Sequence, residues 1–227
     1  MNLKELKEHV INYLDWRGSG VDTKVTQWIN LTRLDIALKF DFPFLFATAI
    51  TTTTGDSTYH VPPDYLDHML ILLEDEGMNL RVIYELTPGY WSKQLTEIEW
   101  KRLIEIDSPP YRVIWKGTYF TIMPLPPEGR TIEMWYYRKP DEFTVDTDED
   151  YMSITYPEVI ISGAVLRGAI YLDDEAKIAK FQAIYSEQLK AMIARENRKK
   201  ADRRGNLRFK TWKDFDPQTF RRLTGQY

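Results

Sequence analysis

The sequence predicts an α+β fold: a four-helix body built from both ends of the chain, an antiparallel β-module inserted between the helix pairs, and an extended C-terminal arm. Three observations carry that expectation. Apolar residues recur every three or four positions near the N-terminus and again after the middle of the chain, which is the helical period. Between these stretches, from Phe44 to Tyr137, short runs rich in Thr, β-branched and aromatic residues are separated by Gly and Pro, as strands are. From Arg195 onward neither repeat is evident, and basic residues are interleaved with aromatics. The expected organisation is residues 1–42 as opening helices, 43–145 as the β-module, 146–200 as closing helices and 201–227 as the arm.

The first helix is expected from about Leu3 to Trp16, with Leu3, Leu6, Val10 and Tyr13 on one apolar stripe, and Arg17-Gly18-Ser19-Gly20 ends it. Asp22 or Thr23 caps the second. Val25, Trp28, Thr32, Ile36 and Phe40 share one face of it while Leu31, Leu34 and Leu38 fill another, so this helix is expected to be sandwiched. Pro43 stops it by disfavouring helix at Phe42.

In the β-module, Ala47 to Thr54 and Thr58 to Val61 flank Gly55-Asp56 and are expected to form a hairpin. Leu66 to Leu73 and Leu80 to Leu86 are further apolar runs about the turn Glu76-Gly77-Met78-Asn79, and Trp91 to Arg102 has short-helix character. The strongest pairing signal is Tyr111 to Trp115, then Lys116-Gly117, then Thr118 to Ile122. Pro124 to Gly129 is a loop, and Thr131 to Tyr137 is a strand with Ile132, Met134 and Tyr136 on one side. Strands at this spacing predict a small antiparallel sandwich or barrel.

Helical period then returns. Thr155-Tyr156-Pro157-Glu158 fits a capping box with proline in the first turn. The helix that follows is apolar nearly all round as far as Asp173-Asp174, which marks it as central. Ile178, Phe181, Tyr185, Leu189 and Met192 make one stripe on a long final helix. The opening pair must meet the closing pair to bury its second apolar face, which makes the β-module an insertion.

Net charge is −4 but unevenly spread. From Arg195 there are 11 Lys and Arg against 4 acids, a net of +7, which leaves −11 on the remainder. Asp141, Glu142, Asp146, Asp148, Glu149 and Asp150 crowd one segment. It lacks the glycine and terminal glutamate of a calcium loop and is expected to be a solvated acidic loop. With no cysteine, disulfides and thiolate metal sites are excluded. His9, His60 and His68 have no metal-ligand spacing, and His60 and His68 are expected to be ordinary polar or packing residues. No cofactor is expected. Ser57 lacks a nucleophile elbow and no phosphate loop is present. The pairs Glu74 with Glu76 and Glu97 with Glu99 are commonplace on exposed elements, so no enzyme is expected. Trp28, Trp91, Trp115 and Trp135 are expected in cores or at subunit contacts. No run approaches a membrane span, and the Met1-Asn2-Leu3-Lys4-Glu5 start has no apolar region, so the expectation is a soluble protein made in the cytoplasm.

The arm is the candidate binding site. Its residues are Arg198, Lys199, Arg203, Arg204, Arg208, Phe209, Trp212, Phe215, Phe220, Arg221, Arg222 and Tyr227. Aromatic and Arg side chains are the usual anchors of protein interfaces, whereas a segment meant to stay solvated lacks them. The alternative is a nucleic-acid-binding accessory protein, with bases on phosphates and Phe209 or Trp212 stacking, although Asp214 and Asp216 interrupt the patch. A cell-wall-degrading enzyme is a third, weaker reading.

A series of landmarks resembles a known family. Tyr59-His60-Val61-Pro62-Pro63-Asp64-Tyr65, Pro109-Pro110-Tyr111 before a hairpin, Met123-Pro124-Leu125-Pro126 after it, Met134-Trp135-Tyr136-Tyr137-Arg138-Lys139-Pro140 before the acidic segment, and Tyr156 into an apolar helix ending Leu172-Asp173-Asp174-Glu175 occur in order. Over roughly residues 22–198 this order is similar to that of the head-to-tail adaptors of tailed phages, with Val61-Pro62-Pro63 standing where Leu-Pro is more usual. The resemblance implies a structural virion protein at the head-tail junction. It also implies a homo-oligomeric ring of twelve copies on the portal protein ring that extends the channel for genomic DNA without sequence-specific contact; whether the ring forms before docking is left open by the sequence, and a subunit monomeric before assembly is the expectation. A downstream tail or nozzle protein would bind below, and the arm would reach the portal. Acidic groups facing the ring lumen would repel DNA and let it slide.

Overall fold

A computed structural model describes residues 1–74, 80–85, 112–123 and 125–203. The turn at 76–79, the short helix at 91–102 with Trp91, the Pro109-Pro110-Tyr111 landmark and the arm from Arg204 onward lie outside the described residues. The described elements are α1 (Leu3–Leu14), α2 (Val21–Lys39), a 3-10 turn (Pro43–Leu45), β1 (Phe46–Thr52), β2 (Thr58–His60), β3 (Tyr65–Glu74), β4 (Leu80–Glu85), β5 (Arg112–Trp115), β6 (Tyr119–Met123), β7 (Thr131–Arg138), α3 (Tyr151–Thr155), α4 (Pro157–Tyr171) and α5 (Glu175–Arg203). The fold is α+β, with helices from both ends around an inserted β-module.

Asn2 starts α1 through a reciprocal capping box with Glu5. The buried stripe is Leu3, Leu6, Val10 and Leu14. Tyr13, expected on that stripe, is exposed instead and meets Phe181 edge-on at 5.6 Å between ring centroids, because the turn after Val10 closes four residues on rather than three. Asp15, in the left-handed region at φ 52°, ends the helix two residues before the expected Trp16. Nor does Asp22 or Thr23 cap α2: Gly20, at φ 80°, takes the N-cap position without a side-chain cap. One face of α2 is buried through Val25, Trp28, Ile29, Thr32 and Ile36. The second expected face is not, since Leu31 and Leu38 are exposed and the helix is only half sandwiched.

Helix α4 is central, as its composition predicts, and packs against α1, α2 and α5. Two glycines permit the approach. A Cβ on Gly163 would run into Thr32 Cγ2 and stand 2.9 Å from Tyr185 Cε2; one on Gly168 would run into Leu14 Cδ1 and stand 2.9 Å from Trp28 Cζ3. Thr32 is β-branched and its hydroxyl donates to the Trp28 carbonyl, while the Tyr185 hydroxyl donates to Asp35, so neither neighbour of Gly163 can yield easily. Helix propensity favours Ala over Gly by about 1 kcal/mol. Overpacking costs about 1–3 kcal/mol. Gly163→Ala is therefore expected to lower the thermal midpoint despite its better propensity, and a raised midpoint would contradict the close approach.

The strands among the described residues form a seven-stranded sheet in the order β1-β7-β3-β4-β5-β6-β2. Every neighbour pair is antiparallel except β4 with β5, a short parallel contact. Parallel neighbours need a long crossover, which the interval between Glu85 and Arg112 supplies in length. The predicted β5–β6 hairpin forms, with Trp115 opposite Phe120 and Gly117 at φ 76° in its turn. The hairpin expected between Ala47–Thr54 and Thr58–Val61 does not form. β1 pairs with β7 and β2 with β6, at opposite ends of the strand order. The connection is held elsewhere: the Thr53 amide donates to the Arg130 carbonyl (2.8 Å), Gly129 donates to Thr53 (2.9 Å) and Ile122 donates to Ser57 (2.8 Å). A five-residue link joining the two end strands of the order requires the sheet to roll around a second core; whether as a sandwich or a barrel is left open by the strand spacing. Its interior takes Tyr59, Ile71, Leu73, Val113, Phe120, Ile122, Ile132, Met134 and Tyr136, with β7 alternating as expected. Leu66 and Tyr137 pack instead against the helical core, which continues through Phe42 and Leu45 to Phe143.

Candidate functional site

Near the end of the described chain, the last turns of α5 share a connected polar cluster with α3 and with Tyr156 between α3 and α4. Helix α5 carries the stripe Phe181, Tyr185, Leu189 and Met192, all buried. Glu196 lies in register with it, four positions after Met192, and is only 3 % exposed. Its Oε1 accepts from the Tyr156 hydroxyl at 2.5 Å, from the Tyr151 hydroxyl at 3.2 Å and from Lys199 Nζ at 2.6 Å. Lys199 also donates to the Tyr151 hydroxyl at 2.6 Å. Burial pushes the Glu196 carboxyl up, but the hydrogen bonds from Lys199 and Tyr156 and the nearby positive charge outweigh it and hold the group below its ordinary value. Burial and the bond to Glu196 push the Tyr156 hydroxyl up to about 12. The same carboxylate, together with Tyr151, raises Lys199.

Tyr151 continues this cluster into the body. Its ring lies 4.7 Å from Phe44, which stacks on Phe42 at 5.1 Å, which meets Phe40 at 4.9 Å. The ladder of rings thus runs from the end of α2 through the 3-10 turn to α3 and the exit of α5. Arg195 stands over the Tyr156 ring at 5.6 Å.

The acidic segment is more structured than a solvated loop. Arg33 of α2, 1 % exposed, stacks over Phe143 at 3.5 Å. It donates to the Asp141 carbonyl at 2.7 Å, to Asn30 at 3.2 Å and to Asp150 Oδ2 at 2.5 Å. Asn30 returns a bond to the Phe143 carbonyl. Asp150 caps α3 through a reciprocal pair with Ser153. That displaces the capping box expected at Thr155, and α4 begins at Pro157 with no side-chain cap. Asp148 accepts from the Thr144 and Val145 amides, bonds that hold its carboxyl below the usual range. Asp146 pairs with Lys7 at 2.5 Å, and Asp141 with Arg138 at 3.0 Å. Glu142 and Glu149 are exposed.

The candidate arm residues divide accordingly. Arg198, Lys199 and Arg203 stand on α5, which continues as helix three residues beyond the boundary at residue 200. Lys199 is turned into the Glu196 cluster, whereas Arg198 is exposed. Arg204, Arg208, Phe209, Trp212, Phe215, Phe220, Arg221, Arg222 and Tyr227 lie outside the described residues. Sequence reading passed over Glu196, counted there merely as an acid of the arm, and Arg33. Both carried the same signal, a charge standing in register with an apolar stripe. Trp28 is a core residue. Trp115 stacks on Tyr65 at 5.7 Å, and Trp135 donates to Glu133 at 2.5 Å. His60 is exposed on β2. Among the described residues no group of three or more His, Asp or Glu stands together to hold a metal ion, and no helix is long and apolar enough to cross a membrane.

Compared with known proteins, residues 1–209 match the family model described as SU10 adaptor protein. No curated protein matches the chain.

Proposed function

This chain belongs to the SU10 adaptor protein family, a family of phage head-to-tail adaptors, and we propose that its copies form a ring beneath the portal that extends the DNA channel and links portal to tail. The protein is a structural virion component of the head-tail junction, a class that is generally non-enzymatic, and its family implies interaction with portal and tail proteins. The observation that carries the finer reading is the match itself, which runs through the whole helical body and the rolled sheet to residue 209, past the exit of α5.

In this reading twelve copies, monomeric beforehand, assemble on the portal ring, and a tail or nozzle protein docks below. The contacts to the portal come from Arg198 and Arg203 on the last turns of α5 and from Arg204, Arg208, Phe209, Trp212, Phe215, Phe220, Arg221, Arg222 and Tyr227 beyond it. Lys199 serves the exit rather than the partner, since its ammonium is engaged by Glu196 and Tyr151. The exposed carboxylates of the acidic segment that form no salt bridge among the described residues, Glu142 and Glu149, face the lumen and repel passing DNA, while Asp141 is paired with Arg138. Asp146, Asp148 and Asp150 are held by partners within the subunit.

The test mixes purified portal rings with the full chain or with a chain ending at Arg203. Retention of the full chain and loss of the shorter one are expected, and equal retention would refute docking by the arm. Repeating the measurement from 50 to 200 mM salt separates the nucleic-acid alternative. Binding to DNA through 6–10 phosphates loses roughly 10³–10⁵ in affinity over that range. Docking through aromatic anchors should lose far less.

A further inference from the structure

We propose that copies of this chain join head to tail, the exposed apolar face of α3 and the turn before it in one copy seating against the outward face of α2 in the next. The inference rests on the ring reading above and names the two surfaces that such a ring joins.

The first surface belongs to the acidic segment. Tyr151 and Ile154, three positions apart and so on one side of α3, are 40 % and 57 % exposed, and Val145 in the preceding turn is 58 % exposed. Glu142 and Glu149 stand on either side of Val145 in the chain and form no salt bridge among the described residues. This surface is apolar with an acidic border. The second surface belongs to the helical body. Leu31 and Leu38, seven positions apart and so on one side of α2, are 48 % and 64 % exposed. Beside them a groove of about 370 Å³ runs between α2 and α5 over α4, with Lys39 and Arg167 in its lining and Asp35 as its one carboxylate. That carboxylate is already engaged by Lys39 and by the Tyr185 hydroxyl, and Arg167 reaches the Leu31 carbonyl at 3.5 Å. This surface is apolar with a basic border.

Two relations between the surfaces make a second copy the occupant. Their borders carry opposite charge, which favours the contact of one with the other over the contact of either with itself. They also face opposite ways. At about 100° per residue, Leu31 and Leu38 stand about 160° and 140° around α2 from Arg33, the residue that binds the acidic segment. Surfaces on opposite sides of one helix cannot meet within a chain, and a two-fold pair of copies cannot join both at once. A contact repeated from copy to copy uses both, and such a heterologous contact closes into a ring. Glu142 and Glu149, at the border of the contact and outside its apolar centre, keep their place towards the lumen.

The absence of cysteine gives the test a clean background. Full chains carrying Leu38→Cys, Ile154→Cys or both are assembled on purified portal rings and treated with a short bifunctional thiol reagent, and the products are separated by size. The double variant is expected to give a ladder extending beyond dimers. An equal mixture of the two single variants should give dimers and nothing longer, and either single variant alone should stay monomeric. Leu31→Cys and Val145→Cys repeat the reading from neighbouring positions. Dimers from a single variant alone overturn the proposal, because like surfaces then meet. So does the lack of a ladder on rings that electron microscopy shows to be complete. Separate copies on the portal in the same images would instead sink the ring reading, and this inference with it. Leu38→Asp gives an independent measure: it should raise the concentration needed for complete rings at least about 10-fold, the scale of losing one interface anchor, with the thermal midpoint of the free subunit unchanged. An unchanged concentration counts against the contact.

Discussion

Arg33→Ala is expected to lower the unfolding free energy by about 3–5 kcal/mol, the cost of removing one partner from a buried ion pair. The guanidinium is 1 % exposed and holds three separate pieces of chain. It stacks on Phe143, binds the Asp141 carbonyl and Asn30, and meets Asp150. Its loss leaves the Asp141 carbonyl without its donor, an aspartate without its counter-charge, and a cavity beside Phe143. The Asp150 side chain is 28 % exposed, so water can partly replace the lost bonds there, and the lower half of the range is expected. Arg33→Lys keeps the charge but not the planar fork and should fall in between. Chemical denaturation measures the effect. A loss under about 1 kcal/mol for Arg33→Ala would mean that the segment from 141 to 150 is held by something other than this residue.

Glu196→Ala should cost about 2 kcal/mol, within the 1–3 kcal/mol of leaving buried donors unsatisfied. The Tyr156 hydroxyl loses its acceptor inside the body, while Lys199, a third exposed, can turn to solvent. Glu196→Gln keeps an acceptor for Tyr156 and should cost less. The effect is local: amide exchange should speed most over the last two described turns of α5, and equal speeding throughout the helical body would argue against a local fastening. The pH dependence has two limbs. Because the Glu196 carboxyl is held below its ordinary 4.5, it contributes stability above that value that is lost as pH falls through its lower folded value. The Tyr156 hydroxyl is raised, so its contribution is complete below about 10 and is lost as pH rises towards about 12. Both limbs should flatten in Glu196→Ala.

Much of the helical body was legible because its pattern is local. Leu3, Leu6 and Val10, the apolar α4 from Val159 to Ala169, and the stripe from Phe181 to Met192 are each set by spacing within one element and are largely buried, whereas Ile170 at the end of α4 is exposed. Alternation on β7 and the glycine turn before β6 were legible for the same reason. What misled was proximity in sequence standing for proximity in space. Gly55-Asp56 looks like a hairpin turn, yet Thr53 and Ser57 are bound to residues more than sixty positions away. The two capping sites failed similarly. Gly20 and Asp150 start their helices because of backbone conformation and a distant arginine, and neither is visible in a window of four residues. Of the site, composition identified the segment after Arg195 as the region of interest. Its root, with Glu196 inside and Lys199 turned back, depended on α3 meeting α5, a long-range contact that no local period encodes.

The rolled sheet also fixes an order of events during synthesis. Phe46 has no strand partner until Tyr137 is made about 90 residues later, and Leu3 donates to Asp148. At 5–20 residues per second the ribosome leaves the first strand waiting roughly 5–20 seconds. Through that interval α1 and α2 hold their apolar faces open, since the helix that buries them, α4, emerges after the whole β-module. The nascent chain is thus least protected just before its last third leaves the tunnel, and a cell making many copies at once must shield that half-made surface from its neighbours.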